Sequence, residues 1–345
     1  MRLPFWKGGK RALSARIHTV SSLVDSFGRR IDYMRISITD RCDLRCIYCT
    51  SRFESRTHED ILRYEEILRI VQAAASLGVT RVRLTGGEPL TRRYVSNLVH
   101  MLAGVPGIEE ISMTTNGTRL AECAGELRAA GLKRVNISLD SLKPERFAQI
   151  TGGDRLADVL AGIEAAHSAS LEPVKINMVV LRGINDDEIT DFARKTLTDA
   201  WHVRYIEHMP FENSATHGRG LVSVAEIMAQ VEETLGPLSP YKPAAGNGPA
   251  RYYRLPGAAG TLGFIGAVTD CFCAGCNRFR LTADGKLRPC LLDDDEVDIK
   301  TPLRSGASIE ELARLIKSAA MLKREQHHLG QGEIPAARTM RQIGG

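Results

Sequence analysis

The 345-residue chain predicts an α/β fold built on parallel strands. Two observations carry that prediction. Between residues 33 and 208, short strand-like runs alternate with helical stretches six times, an order that requires helical crossovers between parallel strands. The chemically unusual residues then gather where those strands would end. A cysteine loop follows the first strand, Gly86-Gly87-Glu88-Pro89 the second and Thr115-Asn116-Gly117 the third. Ser138-Leu139-Asp140 closes the fourth, and His208-Met209-Pro210 the sixth. Open parallel sheets and α/β barrels both bind ligands at this face. Six units are fewer than the eight of a closed barrel, so an open sheet and a partial barrel both agree with the pattern.

Taken in order, residues 33–38 (YMRISI) read as a strand. Residues 58–77 carry Ile61, Leu62, Ile67, Leu68, Val71 and Ala75 at helical spacing, and Gly78 stops that helix. Strands follow at 81–85, 110–114, 134–138, 174–180 and 203–208. Between them lie helices at 94–102, 120–130 (ending at Gly131) and 186–198, and a helix-rich stretch at 144–170. Beyond 212 the alternation breaks. One helix at 223–235 precedes a loop at 236–250 punctuated by Pro237, Pro240, Pro243 and Pro249. Short strands near 251–255, 261–266 and 278–282, an amphipathic helix at 309–321 and a polar tail ending in Gly344-Gly345 complete the chain. The expected division is a basic extension over 1–24, a core over 25–222 and a C-terminal region over 223–345.

Composition narrows the function classes. The chain is 43% hydrophobic and 25% charged, ordinary for a globular protein. A net charge of +5 suits an anionic substrate without demanding nucleic acid. No apolar run reaches the length of a membrane span. Most of the eight cysteines bunch in two short clusters, which favours metal binding in a reducing cytoplasm over disulfides. Residues 1–24 are basic and lack acids; a mitochondrial transit peptide has that composition too, and the expectation is a cytoplasmic protein with a ragged start.

The chain is organised around RCDLRCIYCT at 41–50, in which Cys42, Cys46 and Cys49 are spaced C-x3-C-x2-C. A structural zinc site closes four ligands and a ferredoxin-type cluster uses four thiolates, so three leave one metal position open to a small molecule. A second triad, Cys273, Cys276 and Cys290, again lacks its fourth ligand. Spacing alone leaves zinc and iron–sulfur open there, with Cys271, His202 or His208 as candidates to complete a zinc site.

The first triad, with Tyr48 before its last cysteine and GGEP downstream, resembles the signature of the radical S-adenosylmethionine (SAM) enzymes. The segment FCAGCNRFRLTADGKLRPCL at 272–291, the stretch TDRCDLRCIYC and the terminal glycine pair resemble the GTP 3′,8-cyclase family of molybdenum cofactor biosynthesis, from about Asp25 to the last residue. The resemblance implies a partial (β/α)6 barrel with a [4Fe–4S] cluster on each triad. It implies SAM bound at Tyr48, Gly87, Ser138 and Met209. It implies GTP held by Arg35, Arg83, Thr114, Lys175, Arg278, Phe279 and Arg280, and a Gly344-Gly345 tail that threads toward the active site. The implied reaction is a 5′-deoxyadenosyl-radical cyclisation of GTP to (8S)-3′,8-cyclo-7,8-dihydroguanosine 5′-triphosphate. A low-potential donor such as flavodoxin or ferredoxin would supply electrons, and cyclic pyranopterin monophosphate synthase would receive the product. The enzyme would act as a monomer or homodimer.

The residues make chemical sense of this. Arginine offers a planar fork to phosphate oxygens and lysine a point charge. Arg338 and Arg341 stand near the tail and are placed to position it or the substrate. Three features depart from the family pattern: Thr50-Ser51 after the first triad, Gly153 where a basic residue is common, and Cys271. None removes a cluster ligand. A peptide-modifying radical SAM enzyme would need more cysteines downstream, and a zinc or RNA-binding module leaves GGEP unexplained.

Overall fold

A computed structural model describes residues 22–49, 56–57, 59–211, 216, 220–243, 248–329 and 335–344. The six expected strands form as β1 (Tyr33–Ser37), β2 (Arg81–Thr85), β3 (Glu110–Thr115), β4 (Arg134–Ser138), β5 (Lys175–Val180) and β6 (His202–Glu207), paired in parallel in chain order. The crossovers are α1 (Tyr64–Ser76), α2 (Val95–Ala103), α3 (Leu120–Ala130), α4 (Pro144–Thr151), α5 (Leu156–Ser168) and α6 (Ile189–Thr198). Each buries an apolar stripe; α1 buries Ile67, Ile70, Val71, Ala73 and Ala74.

The C-terminal region contributes α7 (Val224–Leu235), β7 (Ser239–Tyr241), β8 (Arg251–Arg254), β9 (Thr261–Ile265), β10 (Arg278–Leu281), β11 (Lys286–Arg288), β12 (Val297–Asp298), α8 (Lys300–Arg304), α9 (Ile309–Met321) and α10 (Met340–Ile343). Its strands extend the core sheet at both edges. The order is β12-β11-β10-β1-β2-β3-β4-β5-β6-β9-β8-β7. β10 lies parallel to β1 and β9 parallel to β6, while β7, β8, β11 and β12 are antiparallel rims. The sheet stays open but curls, because side chains from β1 to β6, β9 and β10 line a single cavity. This is a partial barrel. Among the described residues no helix is long and apolar enough to cross a membrane.

The differences from expectation have local causes. The first helix starts at Tyr64, because the Leu62 amide donates to the Ala283 carbonyl at 2.8 Å, a bond from the C-terminal region that no local pattern announces. The stretch 144–170 is two helices, broken where Gly152 turns left-handed at φ 71°. Residues 186–188 form a 3-10 turn before α6. The proline-rich loop contains β7, whose Pro240 sits on an edge strand, where no further ladder bond is required of it. The polar tail contains α10, with Ile343 buried.

Candidate active site

The loop carrying Cys42, Cys46 and Cys49 leaves the C-terminal end of β1 and is stitched to the loop after β2. The Gly87 amide donates to the Thr39 carbonyl and the Glu88 amide to the Arg41 carbonyl, both at 2.7 Å. A methyl group on Gly87 would lie 2.4 Å from the Arg41 carbonyl oxygen, so only glycine permits this approach. Glu88 is 1% exposed and, among the described residues, forms no ion pair. Its carboxylate accepts from the Leu90 amide (2.9 Å), the Thr115 hydroxyl (2.7 Å) and the Asn116 amide (2.6 Å). It supports the loops, and burial pushes its pKa up to about 7.

Tyr48 donates from its hydroxyl to Asp140 at 2.6 Å, and Asp140 also accepts from the Val179 amide at 2.8 Å. The strand-tip carboxylate thus fixes the aromatic ring beside the last cysteine. Burial pushes all three thiols up, Cys42 to about 11, Cys49 to about 12 and Cys46 well above its usual value; Asp140 and the two neighbouring thiols add to Cys46, and Cys42 adds to Cys49. A soft cationic centre that takes them as thiolates would relieve that penalty, so the donor set fits an iron–sulfur cluster.

From Tyr48, Ser138 and Met209 a cavity of about 240 Å³ runs through the barrel to Cys273, Cys276 and Cys290. Arg35, Arg83, Thr114, Asn177, Arg204, Arg278 and Arg280 line it between. Strand register builds this belt: Arg280, Arg35 and Arg83 are adjacent across β10, β1 and β2, and Asn177 and Arg204 across β5 and β6. Among the described residues Arg83, Arg204, Arg278 and Arg280 form no ion pair with a carboxylate. Burial lowers Arg35, with Arg280 and Arg83 adding to it, and takes Arg280 down to about 9, with Arg278 adding to it. Guanidinium does not deprotonate at neutral pH, so these shifts register concentrated, buried positive charge.

Two expected substrate contacts lie elsewhere. Phe279 alternates to the outer face of β10 and packs in the apolar core, 2% exposed, while Arg278 and Arg280 point inward. Lys175 opens β5 below Asn177, outside the cavity wall, its Nζ 5.2 Å from the centre of the Tyr252 ring. Burial holds it at about 8.

The second triad occupies the opposite end of the strands. Cys276 stands two residues before β10, and Cys290 two residues beyond the antiparallel β11. Lys323 donates to the Arg278 carbonyl at 3.0 Å and the Pro289 carbonyl at 2.7 Å, tying both segments together. Burial raises Cys273 to about 12; it also opposes ionisation of Cys276, but Arg278 and Lys323 outweigh it and bring that thiol to about 7. Neither histidine proposed from spacing joins these thiols in a metal-sized group. His202 meets Thr261 at 2.9 Å and His208 meets Thr216 at 2.7 Å. The histidine beside Cys271 and Cys273 is His327, with ligand atoms of all three within 4.8 Å of one another.

The tail reaches the barrel mouth. Arg280 donates to the carbonyls of Ile343 (3.3 Å) and Gly344, and Arg341 to those of Asp40 (2.6 Å) and Cys42 (3.1 Å). Arg338 anchors the approach on Asp284 (3.0 Å) and Glu296. Gly345 lies outside the described residues.

Sequence reasoning passed over Arg204, Asn177, Arg29 and Lys323. Arg204 and Asn177 did leave a signal, as polar side chains alternating within apolar strands. Arg29 left none. It pairs with Asp25 at 2.6 Å and donates to the Cys273 carbonyl at 2.9 Å, a partner 244 residues away.

Residues 36–196 match the model of the radical SAM superfamily, and residues 201–329 match that described as Molybdenum Cofactor Synthesis C. The chain is 50% identical to the GTP 3′,8-cyclase of Pelotomaculum thermopropionicum and 51% identical to that of Moorella thermoacetica, each match covering 93% of this chain and 99% of the other. The crystal structure of Streptococcus suis SuiB bound to S-adenosylmethionine superposes with a TM-score of 0.61 at 14% identity, covering 83% of this chain and 68% of that one, a likeness of fold. With half its residues shared over nearly its whole length, the chain belongs to the GTP 3′,8-cyclase family, within the radical SAM superfamily.

Proposed function

We propose that the chain converts GTP to (8S)-3′,8-cyclo-7,8-dihydroguanosine 5′-triphosphate, the first step of molybdenum cofactor biosynthesis, in the cavity between its two cysteine triads. The observation that carries this reading is the arginine belt: buried guanidiniums from β1, β2, β6 and β10 converge on one enclosed space. A polyanion of nucleoside-triphosphate charge is the complement of that field.

Cys42, Cys46 and Cys49 would hold one [4Fe–4S] cluster, which with SAM supplies a 5′-deoxyadenosyl radical, and Cys273, Cys276 and Cys290 would hold the second. Gly87 lets the loop backbone approach SAM, Tyr48 is held rigid by Asp140, and Ser138 and Met209 complete that wall. Arg35, Arg83, Thr114, Arg278 and Arg280 orient the triphosphate, with Lys175 below them and Phe279 fixing β10 from behind. The docked tail, held by Arg280 and Arg341, narrows the mouth and keeps water from the reacting atoms. A soluble low-potential donor such as flavodoxin or ferredoxin, a cytoplasmic location, transfer of product to cyclic pyranopterin monophosphate synthase and a boundary near residue 222 between core and C-terminal region belong to the same proposal.

The test is anaerobic reconstitution with iron and sulfide, then mass spectrometry with SAM, a strong reductant and GTP. Both 5′-deoxyadenosine and a product isomeric with GTP are expected. Cys46→Ala should abolish 5′-deoxyadenosine, while Cys290→Ala should keep it and lose the product. 5′-Deoxyadenosine without any change in GTP would overturn the substrate assignment.

A further inference from the structure

Cys271 belongs to neither triad. Its thiol is exposed, yet it has Cys273 and His327 as immediate neighbours, with ligand atoms of the three inside 4.8 Å of one another. The arrangement is built rather than accidental. Arg29 donates to the carbonyl of Cys273 at 2.9 Å and to that of Glu325 at 2.7 Å, so one buried guanidinium ties the cysteine segment to the segment that presents the histidine. The His327 Nε2 is buried and meets no hydrogen-bond partner among the described residues, while Nδ1 accepts from the Leu329 amide at 3.4 Å. Two sulfurs and one imidazole nitrogen with an open fourth position form a donor set for a tetrahedral thiophilic ion, and soft donors select zinc over magnesium or calcium.

We propose that Cys271, Cys273 and His327 form a zinc(II) site in the cluster-free chain. Binding displaces one proton from each thiol and involves no change of oxidation state. Cys273 cannot serve this site and the second triad together, so zinc here and the second cluster exclude one another. That exclusion rests on the assignment of Cys273 to the second cluster; the zinc site itself does not. The site then acts as a checkpoint on cluster loading, in which zinc must leave before iron and sulfide can be assembled.

The experiment uses the full chain, purified anaerobically without iron and titrated with zinc against a chromophoric chelator, with cobalt(II) as the spectroscopic probe. One tight zinc per chain is expected. Cys271→Ser and His327→Ala should each weaken it by about tenfold or more. Because Cys271 is exposed, Cys271→Ser leaves the fold intact. Cys276→Ser and Cys290→Ser should leave zinc affinity unchanged. Thiolate-to-cobalt absorption should fall by about half in Cys271→Ser, which removes one of two sulfur ligands. Zinc loading should also halve iron uptake on reconstitution in the unaltered chain but not in Cys271→Ser. Zinc affinity indifferent to Cys271→Ser and His327→Ala, or dependent on Cys276 and Cys290, would overturn the site. Zinc bound as expected with full iron uptake would overturn the exclusion, and with it the place of Cys273 in the second cluster.

Discussion

Replacing Gly344 by alanine tests how the tail is docked. Gly344 sits at φ 70°, in the left-handed region. A side chain there costs ~1–2 kcal/mol in backbone strain alone. The new methyl would also meet the Thr85 hydroxyl oxygen at 2.2 Å and the Ser37 Cβ at 3.2 Å. Thr85 has little room to yield: it is 2% exposed, lies at the end of β2, and donates to the Ile36 carbonyl at 3.3 Å. Overpacking of this kind adds ~1–3 kcal/mol. Together the docked state loses ~2–5 kcal/mol, which lowers the docking equilibrium on the order of 30- to several-thousand-fold. The tail can escape by undocking, so the melting temperature should barely move. Amide exchange over residues 335–344 is the assay: protection should collapse there and persist in the barrel. GTP turnover should fall with iron content unchanged. Unchanged protection in 335–344 would refute the steric reasoning, and lost protection with full turnover would refute the tail's role in shielding the cavity.

Arg280→Ala should leave iron content unchanged and weaken GTP binding by about 10- to 150-fold, the loss of a charged hydrogen bond worth ~1.5–3 kcal/mol; anaerobic calorimetry that finds the affinity unaltered counts against its phosphate role. Lys175 predicts a pH dependence of stability. Burial holds it at about 8, against ~10.4 in the unfolded chain, so the native state sheds this proton first. Its unfavourable effect on stability is fully present below about pH 8 and fades as pH rises toward ~10.4. Lys175→Met should therefore raise stability at neutral pH and remove the rise between about pH 8 and ~10.4; a rise that survives the substitution in urea unfolding assigns it to another group. Tyr48→Phe strips Asp140 of its hydroxyl partner in a buried site and should cost ~1–3 kcal/mol in urea unfolding while lowering 5′-deoxyadenosine yield; full stability would show that the Tyr48–Asp140 bond contributes nothing.

Much of the fold was legible because it is written in local periodicity. Six strands and their helices follow from apolar spacing and glycine stops, and the strand tips could be picked out as the functional face. The legible part thins where partners come from far along the chain. Nothing around Leu62 signals that its amide will be taken by Ala283, which ends the run-in to α1 early. Nothing around Arg29 signals a role at Cys273. Phe279 shows a different limit: its place between two arginines suggests a ligand contact, but strand alternation turns it to the core.

Residue types and their spacing already carried the chemistry on offer, namely two incomplete thiol triads, a glycine turn that allows close backbone approach, and basic residues spaced along strands. Those depend on residue type and short spacing, which survive any arrangement of the chain. The tertiary packing placed β9 and β10 at opposite edges of the core sheet, and set the second triad on the wall of the cavity that Tyr48, beside the first triad, also lines. It also decided that arginines from β1, β2, β6 and β10 share that cavity, and that His327, not His202 or His208, stands beside Cys271 and Cys273. Strand order and register set these neighbours, and both are fixed by packing between segments as many as 301 residues apart, a distance over which local pattern carries no information.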